Sequence, residues 1–310
     1  MGIRIRKTAK YLPKRIVPNS EFETFLDTSD QWISERTGIK KRHFSSKEED
    51  TSQIALMACE ALGLTEEEKE KIDAIFVATF TPDIVAPSIA ASLQAPLGLQ
   101  EELFAIDFNM GCSGYVAGLH LAEAFLKNKR MALVLGAEVI SKVLDMHDRT
   151  TAVIFADGAG VTLVEKNEDA IYFDEGTRSN LKDIYVPGIQ VDVPLGALSM
   201  QGKNVFRFAS RTLPDSMERT LAKAGIRGED VSHIVCHQAN SRIIEHVAKK
   251  AGLPISRFFM NIDRMGNTSS ASLPIALDDM VKNNQIKPGQ WVMLMGFGAG
   301  FSWVTALFKW

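Results

Sequence analysis

The sequence predicts an α/β fold made of two similar halves. Apolar, strand-like runs alternate along the chain with stretches of helical periodicity. The order of elements also recurs. The runs Ile72 to Val77 and Val231 to Cys236 each follow an amphipathic helical stretch ending in Gly-Leu or Gly-Ile, and Leu133 to Gly136 has a counterpart in Val292 to Gly296. The composition is ordinary for a globular protein with ample core: 310 residues, 45% hydrophobic and 24% charged. The predicted division is 1–165 and 166–310, with no low-complexity linker between them. Its period is too long for a solenoid.

In the first half, Asp50 to Gly63 reads as a helix started by the capping residues Asp50-Thr51-Ser52. The charged stretch Thr65 to Lys71 reads as a solvated helix or loop. Ala74 to Phe80 is a strand, and Leu103 to Phe108 a buried one. Ser113 to Lys127 is helical, with Val116, Leu119, Ala122 and Phe125 on one face. Ala132 to Gly136 and Ala152 to Val164 read as further strands, the second interrupted at Ala156-Asp157-Gly158. In the second half a helix from Leu213 to Ala224 stops at Gly225. Then come the strand Val231 to Cys236, the helix Ser241 to Lys250, and a helix from about Ser269 to Lys282. Strands from Trp291 to Phe308 close the chain, broken by Gly296-Phe297-Gly298-Ala299-Gly300-Phe301.

Composition excludes several functions. A net charge of −3 gives no global basic field for nucleic acid. Cys59, Cys112 and Cys236 are widely spaced, with neither a disulfide framework nor paired zinc-ligand spacing. His43, His120, His147, His233 and His246 show no convergent metal pattern. The stretch Met1 to Lys14 is basic but lacks the apolar core of a secretory signal. No run reaches about 18 apolar residues, so no membrane span is expected. The expected setting is the cytoplasm.

The reactive candidate is Cys112, in Asn109-Met110-Gly111-Cys112-Ser113-Gly114, between a strand and a helix. A thiol at such a turn lies at the positive end of the helix, where thiolate is favoured. A cysteine is equally at home as a small buried hydrophobe, so the motif alone leaves both readings open. Two later segments bear on the choice. Ile234-Val235-Cys236-His237-Gln238-Ala239-Asn240 is an apolar strand ending in a histidine. Gly266-Asn267-Thr268-Ser269-Ser270-Ala271-Ser272 is a loop of turn and capping residues that opens a helix. Histidine and asparagine can donate hydrogen bonds to charge on a carbonyl oxygen. Singly, His237 also fits a core histidine and Asn267 a cap. Strand alternation turns Cys236 away from His237 and into the core, and Cys59 reads likewise.

In order, Gly111-Cys112-Ser113-Gly114, His237-Gln238-Ala239-Asn240, Gly266-Asn267-Thr268-Ser269 and the late glycine motif resemble β-ketoacyl-acyl-carrier-protein synthase III. This is the condensing enzyme that starts bacterial type II fatty-acid synthesis. The resemblance runs nearly end to end. It takes in Asp27-Thr28-Ser29-Asp30-Gln31-Trp32-Ile33, Arg36-Thr37-Gly38-Ile39, Asp148-Arg149-Thr150-Thr151 and Ala156-Asp157-Gly158-Ala159-Gly160. It implies a thiolase-like fold of two pseudo-symmetric halves, layered α-β-α-β-α, usually as a homodimer. It further implies an acyltransferase that condenses an acyl-coenzyme A primer with malonyl-acyl carrier protein through an acyl-cysteine. No cofactor is implied, acyl-coenzyme A being a substrate.

Residue by residue, the resemblance implies a triad of Cys112, His237 and Asn267. The backbone amides of Cys112 and Ala299 would form an oxyanion hole. Trp32, Arg36 and Arg149 would hold the adenine and phosphate end of coenzyme A. Gly202 and Asn240 would line the pantetheine tunnel. Arg207, Arg242, Lys249 and Lys250 would form a basic patch for the acidic carrier protein. The loop Thr81-Pro82-Asp83-Ile84-Val85-Ala86-Pro87-Ser88 would cap the partner subunit's acyl pocket. Ala86 stands where the family commonly has phenylalanine, so a roomier pocket and a longer or branched primer are expected. Residues 174–200 border that pocket and look short beside the family pattern. Other readings are secondary-metabolite acyl transfer, hydroxymethylglutaryl-type condensation, and a non-catalytic acyl-binding scaffold. The condensation of that second type needs a glutamate base near the thiol, and no acid stands beside Cys112 in sequence.

Overall fold

The computed structural model describes residues 2–188 and 196–310. Two mixed sheets form its frame. The first contains β1 (Gly2–Tyr11), β2 (Ile72–Ala78), β3 (Phe104–Phe108), β4 (Met131–Glu138) and β5 (Gly158–Asn167), in the order β1-β5-β4-β2-β3. The second contains β6 (Ile171–Thr177), β7 (Val231–Cys236), β8 (Trp291–Gly298) and β9 (Ser302–Lys309), in the order β7-β8-β9-β6. The pairings correspond. β2 runs parallel to β4 as β7 does to β8, and β4 pairs antiparallel with β5 as β8 does with β9. The outer antiparallel strands β1 and β6 also match. Where the first sheet has β3, the second has a single parallel bridge between Ile234 and Phe258.

Side-chain alternation sets the layers. On β2, Ala74 and Phe76 face a core shared with α3 (Gly114–Phe125) and α6 (Ser272–Lys282), while Ile75 and Val77 face the opposite side with α2 (Thr51–Glu60). Val235, Val292, Leu294, Val304 and Ala306 of the second sheet join the same central core. The second sheet's other face carries α4 (Gly202–Ala224) and α5 (Ser241–Ala251). Helices α3 and α6 are thus sandwiched between the sheets, and the order is α-β-α-β-α. Strands covered on both faces read as continuous apolar runs rather than alternating ones; every residue of β2 and β4 is buried. A smaller ribbon, Arg15–Pro18 with Lys41–Phe44, carries the helix α1 (Asp30–Thr37). Among the described residues no helix is long and apolar enough to cross a membrane.

Three sequence expectations need correction. The apolar run at Ala152 to Phe155 is not strand; β5 begins at Gly158. Ala152 to Ile154 lie in turns, with the Ala152 amide donating to the Asp148 carbonyl at 2.9 Å, Phe155 makes an isolated parallel bridge to Asn267, and the run is apolar because Ala152, Val153 and Phe155 are buried. The long helix α4 begins at Gly202 rather than Leu213, with Pro214 inside it. Proline removes an N–H and reads as a break, but the apolar face of Phe208, Leu213 and Met217 packs across it and carries the helix through. The strand expected to be buried at Leu103 to Phe108 is instead an edge strand: β3 starts at Phe104, which is exposed, and its other residues are half-buried, because the sheet ends there. The basic N-terminus, for which no element was expected, is a sheet strand, with Arg6 paired to Glu165 at 2.9 Å and Thr8 bonded to Asp278 at 2.9 Å. Part of the 174–200 segment, residues 189–195, lies outside the described residues. On either side of it, Ile184–Tyr185 pairs with Ser199–Met200.

Candidate active site

The site forms where each half reaches into the other. β3 leads to a 3₁₀ turn, Gly111–Ser113, that opens α3; a second such turn, Ser269–Ala271, opens α6. Each turn packs on a strand of the opposite sheet. A Cβ on Gly298, at the end of β8, would lie 2.6 Å from the Cys112 nitrogen. One on Gly136 of β4 would lie 2.3 Å from the Ser270 carbonyl oxygen. Only glycine permits those approaches. Ser113 and Ser302, from opposite halves, are bonded through their hydroxyls at 2.9 Å.

Cys112 is buried, 5% exposed. Its sulfur accepts a hydrogen bond from the Ser269 hydroxyl at 3.3 Å. Burial pushes the thiol up to about 12; the Ser269 bond opposes this and the charge of Glu138 adds to it. The expectation that the helix end favours thiolate is therefore reversed at rest, because desolvation of the charged form outweighs it.

His237 follows β7, its amide bonded to the Met295 carbonyl at 2.8 Å. Its ring stands edgewise to Phe297, with centroids 5.2 Å apart, and Nδ1 lies 2.6 Å from the Ser272 hydroxyl. Burial pushes this imidazole down to about 3, so it is neutral at physiological pH. No bond from Nε2 occurs among the described residues.

Asn267 is held by its backbone: its amide donates to Ile154 at 3.0 Å, and its carbonyl accepts from Ala156 at 2.9 Å. Its side-chain oxygen accepts from the Ser269 amide at 2.9 Å, and among the described residues its side-chain NH₂ has no acceptor. The single segment 267–272 thus touches the three residues expected to form a triad: Asn267 itself, Cys112 through Ser269, and His237 through Ser272. Ser269 and Ser272 were unforeseen, since serines in a turn read first as caps. Their clustering after Gly266-Asn267 was the available signal.

Ala299 follows Gly298, and its amide nitrogen is 3.2 Å from where a Cβ on Gly111 would sit, beside the Cys112 turn. It needs no positive φ; Gly300 and Phe301 take the left-handed backbone at φ 72° and 51°. Its side chain borders an apolar cluster of Ile140, Phe155, Ile184 and Leu198.

Glu138 is the second surprise. Its carboxyl is fully buried and bonded to the hydroxyls of Thr79, Thr81 and Ser270 and to the Phe80 amide. Burial pushes it up to about 7. An acid does stand near Cys112 in space. Ser270 donates to one of its oxygens and the two threonines to the other, so the carboxyl braces the turn that opens α6.

Trp32 is half-buried on α1, with the Arg36 and Arg149 guanidiniums over its ring at 5.0 and 4.8 Å. An indole flanked by two guanidiniums offers a flat cationic platform for a purine and its phosphates. Asn240 caps α5, accepting from the Arg242 amide at 2.9 Å, and donates to the Arg36 carbonyl at 2.9 Å. Arg242 in turn donates through Nε to the Glu35 carbonyl at 3.0 Å. These bonds dock α1 on α5, so Asn240 and Arg242 carry structural duty besides any contact with ligand. Gly202 opens α4 with nothing within 4 Å of its Cβ position. Arg207, Lys249 and Lys250 are exposed.

Ala86 lies in the exposed loop after Thr81, beside Ile84 (48% exposed) and Val85 (77%). Cys236 is buried against Met295, with burial pushing its thiol up to about 12. Among the described residues no group of three or more metal-ligating side chains converges.

The chain is similar to known proteins over its whole length. Residues 106–179 match the family described as 3-oxoacyl-[acyl-carrier-protein (ACP)] synthase III, and residues 221–310 its C-terminal part. The chain is 40% identical over 314 residues to the β-ketoacyl-[acyl-carrier-protein] synthase III of Acholeplasma laidlawii, covering 99% of this chain and 98% of the relative. It is 39% identical over 321 residues to that of Xanthomonas oryzae, with 99% and 98% covered. The solved structure of the Thermus thermophilus synthase III superposes with a TM-score of 0.93 at 39% identity, over 100% of this chain and 99% of that one.

Proposed function

The chain belongs to the 3-oxoacyl-[acyl-carrier-protein] synthase III family, a condensing acyltransferase of fatty-acid initiation, and from that premise we propose how its own residues perform the condensation. The Cys112 sulfur attacks the thioester carbonyl of an acyl-coenzyme A. A new S–C bond forms, the bond to the coenzyme A sulfur breaks, and the proton from Cys112 ends on the departing thiol. The amides of Cys112 and Ala299 stabilise the tetrahedral oxyanion. Malonyl-acyl carrier protein then enters. Its C–CO₂ bond breaks, carbon dioxide leaves, and the electron pair moves to an enolate whose oxygen accepts from His237 Nε2–H and Asn267 NH₂. The enolate carbon attacks the acyl-cysteine, Cys112 leaves as thiolate and takes a proton from solvent, and 3-oxoacyl-acyl carrier protein departs.

The observation that carries this reading is the combination of a buried neutral imidazole and an asparagine with its oxygen already occupied. Both present donors, as enolate stabilisation requires, rather than a base. Hydroxymethylglutaryl-type condensation finds less support, because both Glu138 oxygens already accept hydrogen bonds from Thr79, Thr81 and Ser270, and none of its bonds is to Cys112.

The same proposal takes Trp32, Arg36 and Arg149 as the coenzyme A platform, with Gly202 and Asn240 along the pantetheine path. It treats the two sheets as the centres of halves 1–165 and 166–310, working in the cytoplasm as a homodimer. The open edge of β3 supports the dimer: Phe104 is 46% exposed there, stacked on Phe125 at 5.4 Å, with Leu121 40% exposed nearby. An apolar open strand edge invites pairing with a second copy.

Intact mass spectrometry after incubation with a panel of acyl-coenzyme A esters tests the proposal and the role of Ala86 together. A single acyl adduct on Cys112 is expected, with branched or four-carbon and longer acyl groups outcompeting acetyl. Ala86→Phe is expected to restore acetyl preference, because a ring would refill space that a methyl leaves. A wild-type preference for acetyl would remove Ala86 from the argument.

Carrier-protein docking has its own test. Arg207→Glu with Lys249→Glu reverses two exposed charges and leaves the Arg242 dock intact. The Michaelis constant for malonyl-acyl carrier protein should rise several-fold, less so at high salt, since exposed charges are screened beyond about 8 Å at physiological ionic strength. Acylation by coenzyme A esters should be unchanged. An unaltered carrier-protein constant would eliminate the patch.

A further inference from the structure

Ser269 sits at φ 51°, a left-handed backbone that is costly for a residue with a Cβ, in a fully buried turn. Strain of this kind persists only where the surroundings impose it, and it concentrates at functional sites. Two bonds leave the residue. Its amide donates to the Asn267 side-chain oxygen at 2.9 Å, and its hydroxyl donates to the Cys112 sulfur at 3.3 Å. Among the described residues, that hydroxyl is the one side-chain partner of the sulfur. The imidazole of His237 is engaged with Ser272 instead.

We propose that the Ser269 hydroxyl is a catalytic donor to the Cys112 sulfur, holding the thiolate both as it attacks the primer and as it leaves the condensation product, and that the left-handed turn exists to aim it. The inference rests on Cys112 being the nucleophile. It divides one residue between two duties. The backbone amide orients the Asn267 donor for decarboxylation, and the side chain serves the sulfur. A hydroxyl bond favours the charged acceptor over the neutral thiol, so it offsets part of the burial that holds this thiol protonated.

The test uses Ser269→Ala and Ser269→Gly in the full-length protein. Both lose the hydroxyl and keep the amide; glycine also relieves the turn, so it folds even if alanine does not. Loss of a hydrogen bond to a charged acceptor raises a pKa by roughly 1–2 pH units. Higher intrinsic nucleophilicity recovers about half of that in rate. Iodoacetamide alkylation of Cys112, followed by mass spectrometry from pH 6 to 9, should therefore slow about 3- to 10-fold in both variants. Acylation by acyl-coenzyme A should slow alongside it. Malonyl decarboxylation, measured separately in a Cys112→Ala background with and without the Ser269 change, should stay within about twofold, because the Asn267–Ser269 amide bond survives. Alkylation at the wild-type rate in both variants would overturn the proposal, and so would an equal loss of decarboxylation, which would mark Ser269 as packing alone. A wild-type protein that takes no acyl group at Cys112 would instead overturn the nucleophile assignment beneath it.

Discussion

Cys112→Ala should yield a folded protein that accepts no acyl group from any acyl-coenzyme A and makes no 3-oxoacyl product. The expected loss is complete within detection, because the chain has no substitute nucleophile. Cys59 is 1% exposed on α2 among Ile54, Ala55 and Ala58, with burial driving its thiol well above the ordinary range. Cys236 is fully buried and points into the apolar layer beneath α4 and α5 rather than toward the site. Burial raises the Cys112 thiol as it raises that of Cys236, so position separates them: Cys59 and Cys236 are packed in apolar layers, Cys112 sits in the turn against Ser269, and a thiol that cannot be reached does not react. Stability should change little, since the substitution removes one sulfur beside a serine hydroxyl. Intact mass analysis after incubation with a reactive primer gives the answer directly, and a stable adduct on the Cys112→Ala protein at either remaining cysteine would defeat the assignment.

The second large effect belongs to the donors. His237→Ala and Asn267→Ala should each lower malonyl decarboxylation by roughly 100- to 1000-fold, the usual consequence of deleting one donor from a preorganised oxyanion site. Acylation of Cys112 should fall far less, because its oxyanion is assigned to backbone amides. Asn267→Asp sharpens the test: its carboxylate can still accept from the Ser269 amide but has no N–H for the enolate. The wild-type pH profile carries a further mark. Burial holds the folded His237 near 3, below the ordinary 6.5, so decarboxylation should show no histidine step between pH 5 and 8. The linked stability has a definite sign. A depressed histidine pKa means the unfolded chain binds the extra proton, so stability is intact above about 6.5 and is lost as pH falls toward about 3. Radiolabelled acyl and malonyl donors separate the two half-reactions; equal losses in both would dismantle this division of labour.

The parts legible in the chain were those written in local pattern. β2, β7 and β8 showed as apolar runs because they are covered on both faces, and α3 and α5 showed through helical periodicity. Cys112, His237 and Asn267 stood in short ordered motifs. The misses have physical causes. Ala152 to Phe155 resembled a strand because burial, with no more pairing than the single bridge of Phe155 to Asn267, dictates apolar residues there. The first turns of α4 were hidden by Pro214, whose cost is borne by packing from residues distant in sequence. β1 was disguised by Arg4, Arg6, Lys7 and Lys10, whose charges are answered by Glu165, Glu68 and Asp279 far along the chain.

The sequence by itself determined the alternation of strands and helices, the kind of chemistry, and which cysteine, histidine and asparagine to examine, because residue type and spacing encode these locally. Tertiary structure alone decided their electrostatic states. The helix end argued for a thiolate at Cys112, yet burial between two sheets keeps the thiol protonated and the imidazole neutral. Folding alone also brought Glu138 behind Ser270, Ser269 onto the sulfur and Ser272 onto the imidazole. Desolvation and hydrogen bonding are properties of what surrounds an atom, and for these atoms the surroundings come from segments more than 30 residues away in the chain.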